Sequence, residues 1–207
     1  MKDMSVIKLA AISGSLRAAS ANTAVLRTLQ DLMPAGVEMD LLPLDGLPLY
    51  NQDLDGTTPP TEVAAFKAAI TAADGLVICT PEYNFGIPGV LKNALDWTSR
   101  PAFASPLKHK PALMMSCSPA FTGGARAHAQ LRETLTGALS RVVVRPPVVI
   151  GGVHTKIQQG LLADEASLKF ALEAIDDLVA EIHAQRHAAV YRQTRPAASL
   201  AAAVPQS

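Results

Sequence analysis

Strand-length apolar runs alternate with helix-spaced apolar stripes from one end of this chain to the other, an order that leaves few folds open. Residues 6–12, 37–42, 75–80, 111–117 and 142–150 read as strands, the last interrupted by Pro146 and Pro147. Helical spacing covers 22–33, 61–72, the stretch from Pro88 to near Trp97, 125–139 and 163–184. The alternation predicts an α/β fold: a doubly wound, five-stranded parallel sheet with helices on both faces and right-handed crossovers. Aromatic residues make up only 4% of the chain, so the core must come mainly from Ala, Val, Leu and Ile, which suits helices packed on a parallel sheet.

One domain, 1–185, accounts for the pattern. The Ala- and Pro-rich stretch 186–207 has three arginines and no acidic residue, and is expected to be a flexible tail or an arm docked on a neighbouring subunit. Lys plus Arg (18) balances Asp plus Glu (18), which leaves no basic field for nucleic acid and no acidic face for a basic partner. Residues 6–12 are too short, and too soon polar at Ser13-Gly14-Ser15, for a signal peptide or a membrane span, so a cytoplasmic protein is expected. Cys79 and Cys117 belong to no CxxC pair and read as buried, reduced thiols. His183 and His187 are four apart but have no acidic partner beside them, and no metal site is expected.

In an open α/β sheet, ligands bind beyond the carboxyl ends of the strands, which directs attention to the loops after strands one, three and four. The first loop runs Ser13-Gly14-Ser15-Leu16-Arg17-Ala18-Ala19-Ser20-Ala21-Asn22-Thr23 straight into a helix. Free N–H groups at a helix start favour an anion, and Ser15, Arg17, Ser20 and Asn22 add further donors. Plain N-capping would need only Ser20 or Asn22. The loop has neither GxxxxGK[ST] nor GxGxxG, so a mononucleotide phosphate is the anion left to consider.

The third loop, PEYNFGIPGVLKNALDW at 81–97, is longer than a plain connection needs. Glu82, Tyr83 and Asn84 offer polar and aromatic groups, and Gly86 and Gly89 remove side chains where something might approach the backbone. Either a planar heterocycle lies here, with Tyr83 and Phe85 around its faces, or this is a tight Pro/Gly loop without a ligand. In the helix that follows, Ile87, Leu91, Ala94, Leu95 and Thr98 share one face. Lys92, Asn93, Asp96 and Trp97 occupy the other, as a solvated face or a subunit contact.

GSLRAASAN at 14–22 and TPEYNFGIPGVLKNALDWTSRP at 80–101 resemble the NAD(P)H-dependent FMN reductase family, a flavodoxin-like group that includes quinone reductases, azoreductases and enzymes described as chromate reductases. The resemblance extends through Gly123-Gly124-Ala125-Arg126 and covers roughly 5–185. It implies that Ser15, Arg17, Ser20 and Asn22 hold the FMN phosphate. Pro81, Glu82, Tyr83 and Asn84 would hold the isoalloxazine, completed by Phe85 and Gly86, with Ser116 and Ser118 closing the site. It further implies hydride transfer from NADPH or NADH through FMN to a small-molecule acceptor: a quinone, an azo compound, a free flavin or a metal oxyanion such as chromate. Relatives are dimers or tetramers, so a homodimer or homotetramer is expected.

Two departures from the family pattern stand out. Phe85-Gly86 replaces a variable residue followed by Ser, and Pro119-Ala120-Phe121 stands where a Gly is common before the Gly-Gly pair. Arg126 is expected to pair with a carboxylate across a subunit contact or to meet the nicotinamide nucleotide, and Glu82 to position its loop rather than act as a base. No GxSxG elbow or HExxH motif is present, in keeping with chemistry carried by the cofactor. A flavodoxin-type electron carrier or an FMN-binding regulatory partner is the alternative, and the neutral charge argues against the carrier.

Overall fold

A computed structural model describes residues 6–194. Its main sheet contains β1 (Ile7–Ser13), β2 (Val37–Leu42), β3 (Gly75–Thr80), β4 (Pro111–Cys117), β5 (Arg141–Val142) and β6 (Val148–Ile150). The strand order is β2-β1-β3-β4-β5, with β6 also on β4, and every pairing is parallel. This is the flavodoxin-like order. The expected fifth strand is two short ones: β5 pairs with the start of β4 at Pro111 and Ala112, and β6 with its end at Met115 to Cys117. Pro146 and Pro147 lie between them, where a residue without an N–H cannot continue the ladder.

The alternation of side chains along each strand builds two cores. Leu9, Ala11, Val77, Cys79, Leu113 and Met115 face α1 (Ala21–Asp31) and α5 (Glu165–Thr194). Ala10, Ile12, Leu76, Ile78, Ala112 and Met114 face α2 (Thr61–Ala72), α3 (Gly89–Thr98) and α4 (Ala127–Gly137). β3 and β4 are buried along their whole length, which is why both read as unbroken apolar runs. Both cysteines are buried and unpaired, as their sequence setting indicated.

α5 continues past residue 184 to Thr194, and Arg186 pairs with Asp74 at 2.9 Å. The expected tail, 186–207, therefore starts within this helix, and 195–207 lie outside the described residues.

On the polar side of α3, Lys92 and Asp96 form a partly exposed ion pair at 2.7 Å, as a solvated face would, whereas Asn93 and Trp97 bond within the molecule. Trp97 is fully buried, donates from Nε1 to the Pro48 carbonyl at 2.8 Å and meets the Tyr50 ring edge-on at 4.9 Å. Asn93 donates to the same carbonyl at 2.9 Å and accepts from the Tyr50 N–H at 2.7 Å. These bonds fasten the long loop after β2 onto α3, so Asn93 and Trp97 are spent inside the molecule.

Candidate functional site

The register places Ser13 beside Cys79 and Thr80 beside Ser116, so the first, third and fourth loops leave the sheet at one edge. Gly14 makes that convergence tight. A Cβ there would lie 2.5 Å from Thr80 Oγ1, so only glycine lets the first loop pass this close to β3.

These loops enclose a cleft of about 460 Å³, within the range of small-molecule sites. Ser15, Arg17, Ser20, Asn22, Pro81, Glu82, Tyr83 and Ser118 all line it. Asn84, Phe85 and Gly86 do not, and neither does Ser116.

At the first-loop end, Ser20 caps α1, its Oγ accepting from the Thr23 N–H at 3.3 Å. The capping reading is thus correct for this hydroxyl, but it leaves most of the donors over. The N–H groups of Ala21 and Asn22 have no acceptor among the described residues, and neither has the exposed Arg17 guanidinium. Ser15 Oγ accepts from the Arg17 N–H at 3.4 Å. Asn22 is buried with its Oδ1 taken by the Cys79 thiol at 3.3 Å, which turns the amide nitrogen into its remaining group. Cys79 is held well above the ordinary thiol pKa, first by its hydrogen bond with Cys117 and then by burial, so it is a neutral donor to Asn22. The result is a pocket wall of N–H and cationic donors without a carboxylate, which fits a phosphate.

At the other end, Tyr83 and Gly86 exchange N–H···O=C bonds at 3.0 Å and close a two-residue turn. Asn84 (φ 51°) and Phe85 (φ 68°) both adopt the left-handed conformation this turn requires. Asn tolerates it, whereas Phe does so at a cost of about 1–2 kcal/mol. The turn is held from outside. Glu82 Oε2 accepts from the Arg126 N–H at 2.9 Å, and the Arg126 guanidinium lies 4.3 Å from the centre of the Phe85 ring. Gln130 Oε1 accepts from the Ile87 N–H at 2.7 Å and would collide with a Cβ on Gly86 at 2.3 Å. Tyr83, which lines the cleft, is 52% exposed, and Phe85, outside the lining, is 68% exposed, so this end is a preformed turn with Tyr83 as the aromatic lip.

Ser116 is fully buried and 3.0 Å from His128 Nε2. Burial, then the charge of Arg132, lowers the His128 pKa, so this histidine is neutral in the fold. Its Nδ1 is buried with no hydrogen-bond partner among the described residues, so the ring's one polar contact is the bond shared by Nε2 and the Ser116 hydroxyl. Ser116 supports the floor behind the loops rather than the cleft itself. Ser118 does reach the cleft, its Oγ accepting from the Ala120 N–H at 3.2 Å.

Sequence reasoning missed a third wall. Arg27 on α1, His154 in the short 3-10 turn Val153–Thr155, and Ile157 and Gly160 of a small hairpin, β7 (Ile157–Gln158) and β8 (Leu161–Leu162), also line the cleft. The hairpin is pinned to α1 by the Leu162 N–H donating to Thr28 Oγ1 at 2.9 Å. Arg27 was legible in principle, since it follows the loop residue Thr23 by one helical turn. The hairpin strands are two residues each, too short for periodicity to register.

Among the described residues there is no cluster of three or more His, Cys, Asp or Glu side chains suited to a metal, and no helix long and apolar enough to cross a membrane.

A family profile described as NADPH-dependent FMN reductase matches residues 7–155. An NAD(P)H-dependent FMN reductase of Pseudomonas aeruginosa is 39% identical over 173 residues, 83% of this chain and 93% of that protein. A quinone reductase of Escherichia coli is 39% identical over 166 residues, 78% of this chain and 88% of that protein. Among solved structures, a flavoenzyme NAD(P)H:(acceptor) oxidoreductase from Paracoccus denitrificans superposes with a TM-score of 0.77 at 34% identity, covering 86% of this chain and 98% of that one.

Proposed function

The chain belongs to the NADPH-dependent FMN reductase family and is an FMN-dependent NAD(P)H oxidoreductase, and from that premise we propose that its cleft holds FMN and that its acceptors are quinones. One observation carries the assignment of the cleft: a carboxylate-free wall of donors and a preformed aromatic lip face each other across a single cavity of about 460 Å³. A phosphate and a flat ring joined by a short polar chain match those two ends.

In this reading Arg17, Ser15, Ser20, the Asn22 amide and the free N–H groups at the start of α1 neutralise the phosphate. Tyr83, with Pro81 and Glu82, borders the ring, and Asn84, Phe85 and Gly86 act by giving the turn its shape. Glu82 keeps its carboxylate on the Arg126 N–H, so it positions the loop and is not the base of a proton transfer. Arg126, for its part, fixes the Glu82 loop from the backbone and shields the turn from the Phe85 side. FMN, when bound, supplies the redox chemistry, accepting hydride from NADPH or NADH and passing electrons to the acceptor. The residues' task is to bind, orient and limit access to it.

The relatives named as quinone reductases support a quinone acceptor, and azo compounds, free flavins and chromate belong to the same proposal at lower priority. A homodimer or homotetramer, acting in the cytoplasm where the nicotinamide co-substrate is regenerated, completes the reading. The exposed rings of Phe85 and Phe121, the latter 93% exposed, supply apolar surface for a subunit contact.

The purified protein is expected to be yellow, with flavin absorbance that NADPH or NADH bleaches in the absence of air and a quinone restores. A colourless protein that takes up no added FMN would overturn the assignment. Light scattering on the loaded protein tests the subunit count.

A further inference from the structure

The cleft is lined by two arginines and a histidine, more donors than one phosphate needs. Arg17 lies in the loop, Arg27 lies on the flank of α1, and His154 lies in the turn opposite, three separate elements facing one space. No hydrogen bond or ion pair within the described residues engages the side chains of Arg27 or His154. Among the described residues the only carboxylate lining the cleft is Glu82, and its partner is the Arg126 N–H. Two guanidiniums left unpaired in one cleft repel each other, and a polyanion between them removes that cost.

Their positions also differ along the helix axis. Arg27 is six residues beyond Ala21, which is about 9 Å further along α1 from the free N–H groups. Gly160, at the tip of the hairpin turn with φ +80°, has nothing within 4 Å of where a Cβ would sit, so the cleft is open on this side.

We propose that Arg27 and His154 form a second anion subsite next to the first-loop phosphate site, built for the second phosphate of a dinucleotide's diphosphate bridge. The proposal rests on the FMN reading of the cleft. The bridge has two sources with the same chemistry: FAD occupying the cleft in place of FMN, or the nicotinamide dinucleotide laying its diphosphate here while FMN stays in place. Binding is non-covalent in both cases. Arg27 takes the outer phosphate through its planar fork, and His154 adds a donor from the facing wall.

The test uses flavin-free protein titrated with FMN and with FAD by flavin fluorescence, and FMN-loaded protein assayed for the KM of NADPH and NADH. The variants are Arg27→Ala, Arg27→Lys and His154→Ala, each checked for an unchanged melting temperature. If FAD is the source, Arg27→Ala weakens FAD binding by about 10-fold or more while FMN affinity stays within about 2-fold. If the co-substrate is the source, Arg27→Ala raises the nicotinamide KM by a similar factor with kcat and FMN affinity retained. Arg27→Lys restores part of either effect, since charge is kept and the fork is lost. An Arg27→Ala variant that loses FMN affinity by the same factor as FAD affinity would place Arg27 in the monophosphate site and overturn the proposal. So would a variant that changes neither flavin's affinity nor either KM. Protein that binds no FMN at all would bring down the FMN reading itself, an outcome distinct from both.

Discussion

The Glu82 carboxylate accepts the Arg126 N–H at 2.9 Å, joining the loop after β3 to the start of α4 across 44 residues of sequence. Neither partner is spent on chemistry by this contact, and both ends of it flank the turn that shapes the lip of the cleft. A partly exposed, charge-assisted bond of this kind is worth about 1 kcal/mol. Glu82→Ala should therefore weaken FMN binding by about 5- to 10-fold in a fluorescence titration, and Glu82→Gln by less, since an amide oxygen still accepts. Unchanged affinity in Glu82→Ala would sever the link between this bond and the site.

Gly86 and Gln130 should behave as one unit. A Cβ at Gly86 displaces the Gln130 amide, and with it the bond to the Ile87 N–H. Gly86→Ala is expected to destabilise the fold by about 1–2 kcal/mol in urea unfolding, the cost of a lost hydrogen bond to a part-buried donor. Gln130→Ala removes the same bond, so the double variant should cost little more than either single one. Additive losses would show that the two act separately.

Arg17 is exposed and its guanidinium has no partner among the described residues, so removing it leaves the fold intact. Arg17→Ala should leave the melting temperature within about 1 °C, as surface substitutions do. FMN affinity should fall by about 10- to 100-fold, the worth of a charge-assisted bond to phosphate, while riboflavin affinity holds. Equal loss for FMN and riboflavin would move Arg17 away from the phosphate.

His128 predicts an acid limb in stability. Its pKa is lowered in the fold by burial and by Arg132, so the folded state resists a proton that the unfolded chain accepts below about pH 6.5. The stability due to neutral His128 is full above that value and is lost as pH falls from it towards the lower folded pKa. Melting curves should drop across this window in the native protein, and the drop should be shallower in His128→Gln, whose side chain does not titrate. Identical slopes would assign the acid limb to other groups.

Trp97, the single tryptophan, reports on the loop after β2 because its indole holds Pro48. Trp97→Ala should cost about 3–5 kcal/mol in urea unfolding, the usual penalty for emptying so large a buried site. Trp97→Phe should cost less, because the phenyl ring leaves a smaller cavity; in either variant Asn93 still donates to the Pro48 carbonyl. A neutral Trp97→Ala would contradict its burial.

Local rules govern one part of the protein, and that part was legible residue by residue. β3, β4 and α2 begin and end where their apolar runs and stripes do, because strands buried on both faces leave an uninterrupted signal. The donor-rich first loop and the Tyr83 to Gly86 loop were legible for the same reason: each is contiguous, and its residue types are unusual for a plain connection. The rest was not legible, because it depends on contacts between distant segments. Trp97 looked like surface until the 43–60 loop folded over it, and Ser116 proved to be buried against His128, outside the lining of the cleft. Gly86 is glycine because of Gln130, 44 residues on, and the third wall of the cleft exists because Thr28 anchors a hairpin to α1 from 134 residues away. Periodicity records which face of an element is buried; which segment does the burying is settled only when the chain closes on itself.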